Sequence, residues 1–147
     1  MHTSMEQTLD VSAARSCLGS ATRKASRAVT SVFDRALAAH GIRIMQFTVL
    51  ITLHLKGASP LGDLAKFMEL DRTTLSRTLE LLEAKGWVRS GSVAGDNRSR
   101  LLGITDAGRA VMFAAFPAWK SAQDRVAAIV QEHDRSLLAK LAEISPD

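Results

Sequence analysis

The chain has a single cysteine, no tyrosine and no long apolar run. Cys17 cannot close an intrachain disulfide, which fits a reducing compartment. No apolar stretch approaches the ~18 residues needed to cross a bilayer. The richest, Ile44 to Leu55, is broken by Gln46 and His54. The first residues carry Glu6 and Asp10 and no basic-then-apolar signal, so a cytoplasmic protein with no membrane partner is expected. His40, His54 and His133 lack metal-ligand spacing, and there is no cysteine pair. Neither a Gly-rich phosphate loop, nor a nucleophile elbow, nor a paired-carboxylate arrangement is visible. The chain is therefore expected to hold no metal or cofactor and to be no enzyme. His54, among apolar neighbours, reads as a core or interface residue.

What is present is ordinary globular composition: 147 residues, 46% hydrophobic and 23% charged. That suits one domain with a sizeable core, or a small domain plus an oligomerisation element. Net charge is +4, which favours an anionic partner only weakly. Its distribution is more instructive. Residues 1–58 hold seven basic against three acidic residues, residues 59–110 eight against seven, and residues 111–147 four against five. The middle segment is nearly neutral, so any anion recognition there depends on where a few cations are placed.

Hydrophobic periodicity predicts a mainly α fold with a small β-wing. After a loose lead-in, a helix is expected from Ser12 to His40, with Leu18, Ala21, Ala25, Val29, Val32, Ala36 and Leu37 on one stripe and Gly41 as its stop. A second covers Ile44 to Lys56, with Phe47, Leu50, Ile51 and Leu55 inward. Ser59 is expected to cap a third, with Pro60 in its first turn and its end near Met68. Asp71 caps a fourth that runs to Lys85 and stops at Gly86. Strands are expected over Trp87–Val93 and Arg100–Ile104, around a turn-rich stretch from Ala94 to Ser99. Thr105 caps a long helix from Asp106 to about Glu132, kinked at Pro117. A last helix is expected from Asp134 to Ile144. There is no internal repeat.

The fourth helix is the sharpest segment. At about 100° per residue, Leu75, Leu79 and Leu82 share one stripe. Thr73, Thr74 and Arg77 lie across from it, with Ser76 at its flank. Hydroxyls and a guanidinium on the first two turns are suited to base edges and phosphates, because Arg grips guanine bidentately and Thr offers both polar and methyl contacts. Arg72 suits a phosphate or an intramolecular partner. An ordinary solvated face is the alternative. The tip of the β-ribbon carries Asp96, Arg98 and Arg100. Arg98 can enter a narrow minor groove, while Asp96 would repel a phosphate and makes better sense as a brace for an arginine. A plain exposed hairpin is the alternative there.

These motifs resemble the winged helix-turn-helix of the MarR family of bacterial transcription regulators. The matching runs are Leu64-Ala65, Asp71-Arg72-Thr73-Thr74-Leu75-Ser76-Arg77 and Leu82-Glu83-Ala84-Lys85-Gly86-Trp87-Val88. The wing Gly95-Asp96-Asn97-Arg98-Ser99-Arg100 and the run Ile104-Thr105-Asp106-Ala107-Gly108 match as well. The resemblance implies a DNA-binding domain over residues 44–105 and a discontinuous helical dimerisation region over 12–40 and 106–147. It implies a homodimer on a palindromic duplex operator, usually a repressor, released by a small aromatic or lipophilic effector. The implied DNA contacts are Arg72, Thr73, Thr74, Ser76, Arg77, Arg98 and Arg100, with Asp96 as the wing brace.

One branch of that family senses peroxides through a cysteine near the start of the first helix, where Cys17 stands. Tyrosines assist that cysteine, and this chain has none; Phe33 occupies the place where a phenol would help. Cys17 is thus a redox candidate set against a small buried thiol. Phe116 and Trp119, around Pro117, either line a ligand pocket or pack a joint. A winged-helix module that binds protein and no DNA is the remaining alternative.

Overall fold

The computed structural model of the chain describes residues 11–93 and 96–144, and for residues 93 and 96–99 the backbone alone. A 3-10 stretch, Val11–Ser16, leads into α1 (Leu18–Leu37), and a second, Ala38–His40, leads out of it. Then come α2 (Ile44–Lys56), β1 (Ser59–Pro60), α3 (Leu61–Met68) and α4 (Arg72–Ala84). β2 (Val88–Val93) and β3 (Asp96–Ile104) form the wing, followed by α5 (Asp106–Ala127) and α6 (Glu132–Ala142). The chain is mostly helical, with one three-stranded antiparallel sheet in the order β1-β3-β2.

The core gathers around α2 and α4. Phe47, Leu50 and Leu53 from α2 meet Leu64 of α3, the Leu75-Leu79-Leu82 stripe of α4, Leu102 and Ile104 of β3, and Met112 of α5. The stripe read from the sequence is therefore the buried face of α4. Trp119 stacks on Phe47 with ring centroids 5.8 Å apart, tying α5 to the same core. α1 joins that cluster at its end, through Leu37; Phe33 is buried outside it, and Leu18, Ala21, Ala25 and Val29 are exposed. Leu55, expected on the inner face of α2, is exposed as well, at the rim of a cleft it shares with α5.

Several boundaries differ from expectation for identifiable reasons. Ser59 does not cap α3: its hydroxyl donates to the Gly57 carbonyl at 3.0 Å. Ser59 and Pro60 instead form β1, opposite Leu102 and Leu101. Proline lacks the amide that a central strand would need, and at an edge it costs nothing. A two-residue strand carries no periodicity, so only its long-range partner defines it. β3 begins at Asp96, four residues before the expected start, and a register shift at Ser92/Val93 absorbs the mismatch. α6 starts at Glu132; Asp134 sits inside its first turn, where its carboxylate accepts the Gln131 N–H at 3.0 Å. α5 runs through Pro117 as one helix. That proline is on the exposed side, where water can replace the lost bond. Among the described residues, no single helix is long and apolar enough to cross a membrane.

Candidate nucleic-acid interface

Local chemistry aims α4. α3 ends at Glu69, which adopts a left-handed φ of 53° so that the Leu70 N–H reaches the Ala65 carbonyl at 3.0 Å. The chain then turns sharply into Asp71. Asp71 Oδ1 accepts the Thr74 N–H at 2.8 Å, and the Thr74 hydroxyl donates to Oδ2 at 2.6 Å. This satisfies a donor that the helix leaves open. Thr74 thereby spends its hydroxyl proton on the cap and faces outward as an acceptor.

The hydrogen bonds from Thr74, side chain first and backbone second, hold the Asp71 carboxyl below its ordinary value of 3.8. A carboxyl that titrates lower when folded stabilises the fold above its unfolded value. That stabilisation is lost as pH falls through the lowered folded value. Asp71→Asn should flatten the acid limb of a plot of melting temperature against pH. An acid limb as steep as that of the unmodified chain would show that other carboxylates drive it.

Thr73, Thr74 and Arg77 are exposed, and Arg77 has no ion pair or hydrogen-bond partner among the described residues. Arg72 folds back: an added Cβ at Gly62 would stand 2.7 Å from its Nη2, so the absence of a side chain there makes room for the guanidinium over α3. Ser76 is half-buried in a crevice with Leu61, Glu80 and Arg100. Thr73 and Arg77 therefore project furthest.

Arg100 was grouped with the wing contacts, and the structure gives it another partner. Its Nη2 donates to both oxygens of Glu83 on α4, at 2.9 and 3.2 Å, and to the Ser90 hydroxyl at 2.9 Å. This three-point contact ties β3 and β2 to the end of α4. The sequence reading assigned Glu83 no site role, although it stands in the run from Leu82 to Val88 that carries the family resemblance. The side chains of Asp96 and Arg98 lie outside the described residues, so the expected brace and groove contact are not seen.

Gly86, at φ 72°, ends α4 and lets the Trp87 N–H reach the Leu82 carbonyl at 2.9 Å. The Thr105 hydroxyl donates to Gly86 at 2.6 Å and accepts the Gly108 N–H at 3.0 Å. One threonine thus caps α5 and fastens it to the end of α4.

Cys17 is exposed, not a buried thiol, within a run of exposed residues from 11 to 31. Its side chain makes no cap hydrogen bond. On the other side of the domain, between α2 and α5, an apolar cleft of about 480 Å³ is lined by Phe47, Ile51, His54, Phe113, Phe116 and Trp119. His54 is exposed and meets Phe113 edge-on, with centroids 5.2 Å apart. Trp119 packs on the core through Phe47, and both Phe116 and Trp119 line the cleft.

A helix-turn-helix continued at once by a braced antiparallel wing defines a winged helix-turn-helix protein. The model of the MarR family matches residues 42–99. The HTH-type transcriptional regulator PecS of Dickeya dadantii is 26% identical over 124 residues, which cover 82% of this chain and 68% of PecS. The HTH-type transcriptional repressor NicR of Pseudomonas putida is 28% identical over 100 residues, 68% of this chain; the chain spans 63% of NicR's length. The structure of the M. tuberculosis transcriptional regulator MosR in complex with DNA superposes with a TM-score of 0.78 at 34% identity, covering 85% of this chain and 92% of that one. The chain belongs to the MarR family and is a transcriptional regulator.

Proposed function

We propose that this regulator binds duplex DNA as a homodimer and represses transcription until a small aromatic or lipophilic ligand releases it. The observation that carries the reading is the exposed, unpaired Arg77 beside Thr73 on the first half of α4, over a buried leucine stripe. That geometry suits insertion of α4 into the major groove. Arg98 at the wing tip suits the adjacent minor groove, with Asp96 as its brace. MosR, similar over most of both chains, has been solved with DNA, and NicR is a repressor.

Residues 44–105 are then the reading domain. Residues 12–40 and 106–147 form the dimerisation region, which accords with Leu18, Ile129 and Leu138 being 74%, 76% and 58% exposed. A two-fold dimer presents two α4 helices and calls for a palindrome with half-sites about 34–36 Å apart. The apolar cleft between α2 and α5 is the place for the effector.

The test is a mobility shift on duplexes selected from a random pool. Operator affinity should fall by about 10³–10⁵ between 50 and 200 mM salt if ~6–10 phosphates are contacted. No enriched sequence and a flat salt response would leave a winged helix that does not read DNA.

A further inference from the structure

A second cleft, of about 720 Å³, opens where the second half of α1 meets the start of α2 and the end of α4. Its chemistry is opposite to that of the apolar cleft. Arg27, Arg35, Arg43 and Lys85 line it against a single carboxylate, Asp34. That carboxylate is already engaged: Oδ1 accepts the Ile44 N–H at 2.8 Å, and Oδ2 stands 3.9 Å from the Arg43 guanidinium. Lys85 donates to the Gly41 carbonyl at 2.7 Å and holds its ammonium 4.5 Å from the Trp87 ring centroid, so its partners are neutral. Arg27 and Arg35 have no ion pair or hydrogen bond among the described residues. The first turn of α2 adds the positive end of a helix dipole to the same wall.

An independent feature points to a guest. Gln46 lines the cleft and is only 8% exposed. Its Oε1 accepts the Arg43 N–H at 3.1 Å, which orients the carboxamide and leaves its NH2 without a partner among the described residues. Among the described residues no fully buried side-chain donor lacks a partner, so that nitrogen keeps some access to solvent. The cleft thus carries an oriented amide beside two arginines, Arg27 and Arg35, that have no partner among the described residues.

We infer that this cleft binds a small anion bearing several carboxylate or phosphate oxygens, such as a di- or tricarboxylate or a phosphorylated metabolite. Planar guanidiniums on α1 can grip such oxygens in pairs, and the Gln46 amide can donate to one more. The volume is that of a small-molecule site, several times larger than one inorganic anion needs. The cleft is also remote from the reading face: Thr73 and Lys85 are twelve residues apart on α4, ~18 Å at 1.5 Å per residue. The site therefore stands whether or not the apolar cleft holds an effector.

The experiment is isothermal titration of the full chain, without DNA, using citrate and inorganic phosphate against sodium chloride of matched ionic strength. Saturable binding of either probe is expected; citrate alone points to a carboxylate source, phosphate alone to a phosphoryl one. The double variant Arg27→Ser/Arg35→Ser should bind the same probe at least tenfold more weakly; because both residues lie in the region proposed for dimerisation, Arg43→Ser, which lies outside it and lines the same cleft, should weaken the probe in the same direction with the oligomeric state unchanged. No saturable signal for either probe, or equal affinity in the variant, overturns the inference. So does a variant that loses duplex affinity with a shallower salt slope while the unmodified chain ignores both probes, because the cleft would then belong to the DNA interface.

Discussion

Gly108→Ala is expected to destabilise the protein by about 3 kcal/mol and to lower its melting temperature on the order of 10 °C. A Cβ at Gly108 would overlap the Trp87 carbonyl oxygen and come within 2.9 Å of Ile104 Cγ1. The clashing oxygen belongs to the backbone, so no side-chain rotation relieves it. It also accepts the Thr105 N–H at 3.0 Å. Relief requires α5 to withdraw from the end of α4, which weakens that bond and the 2.6 Å bond from Thr105 to Gly86. Overpacking costs ~1–3 kcal/mol and each weakened hydrogen bond ~0.5–1.5. Against a total stability of ~5–15 kcal/mol that is a large share. Gly91→Ala is the control, since nothing lies within 4 Å of its added Cβ; it should stay within ~0.5 kcal/mol of the unmodified chain. Denaturant melts of both variants measure this. If Gly108→Ala melts like Gly91→Ala, α5 does not approach Trp87 this closely.

Arg77→Ala is expected to weaken operator binding by ~1–3 kcal/mol and to relax sequence preference at one position of each half-site, with no loss of stability. The two effects separate because Arg77 is exposed and unpaired among the described residues. Nothing inside the fold depends on it, whereas a bidentate grip on guanine would. Arg77→Lys keeps the charge and loses the fork, so it should recover non-specific affinity without the base preference. Titration on the selected operator and on a scrambled duplex gives both numbers. Full specific binding by Arg77→Ala would remove this residue from the reading face.

The segments that were legible in the sequence were those whose partners lie within one turn. Asp71 caps the helix beginning at Arg72, Gly86 stops it, and Leu75, Leu79 and Leu82 bury themselves in between. Thr105 capping α5 is of the same kind. Segments whose partners are remote were misread or unseen. Ser59 is drawn into β1 by Leu102, and Arg100 is drawn from the wing to Glu83, seventeen residues away. The exposure of Cys17 was missed because burial depends on which other elements reach that end of α1.

By itself the sequence determined the order of the six helices and the two wing strands, the buried stripe of α4 and the identities of the side chains that face away from it. These follow from period, caps and stops, which act over three or four residues. Only the tertiary structure decided which of those side chains stay free. It turned Arg72 over Gly62, tucked Ser76 into a crevice and tied Arg100 to Glu83, while Arg77 and Thr73 stayed exposed. It also assembled the cationic cleft from α1, α2 and α4, whose charges are up to 58 residues apart, between Arg27 and Lys85. The reason is physical: a polar side chain is claimed by the nearest partner in space, and proximity in space is settled by packing of the core.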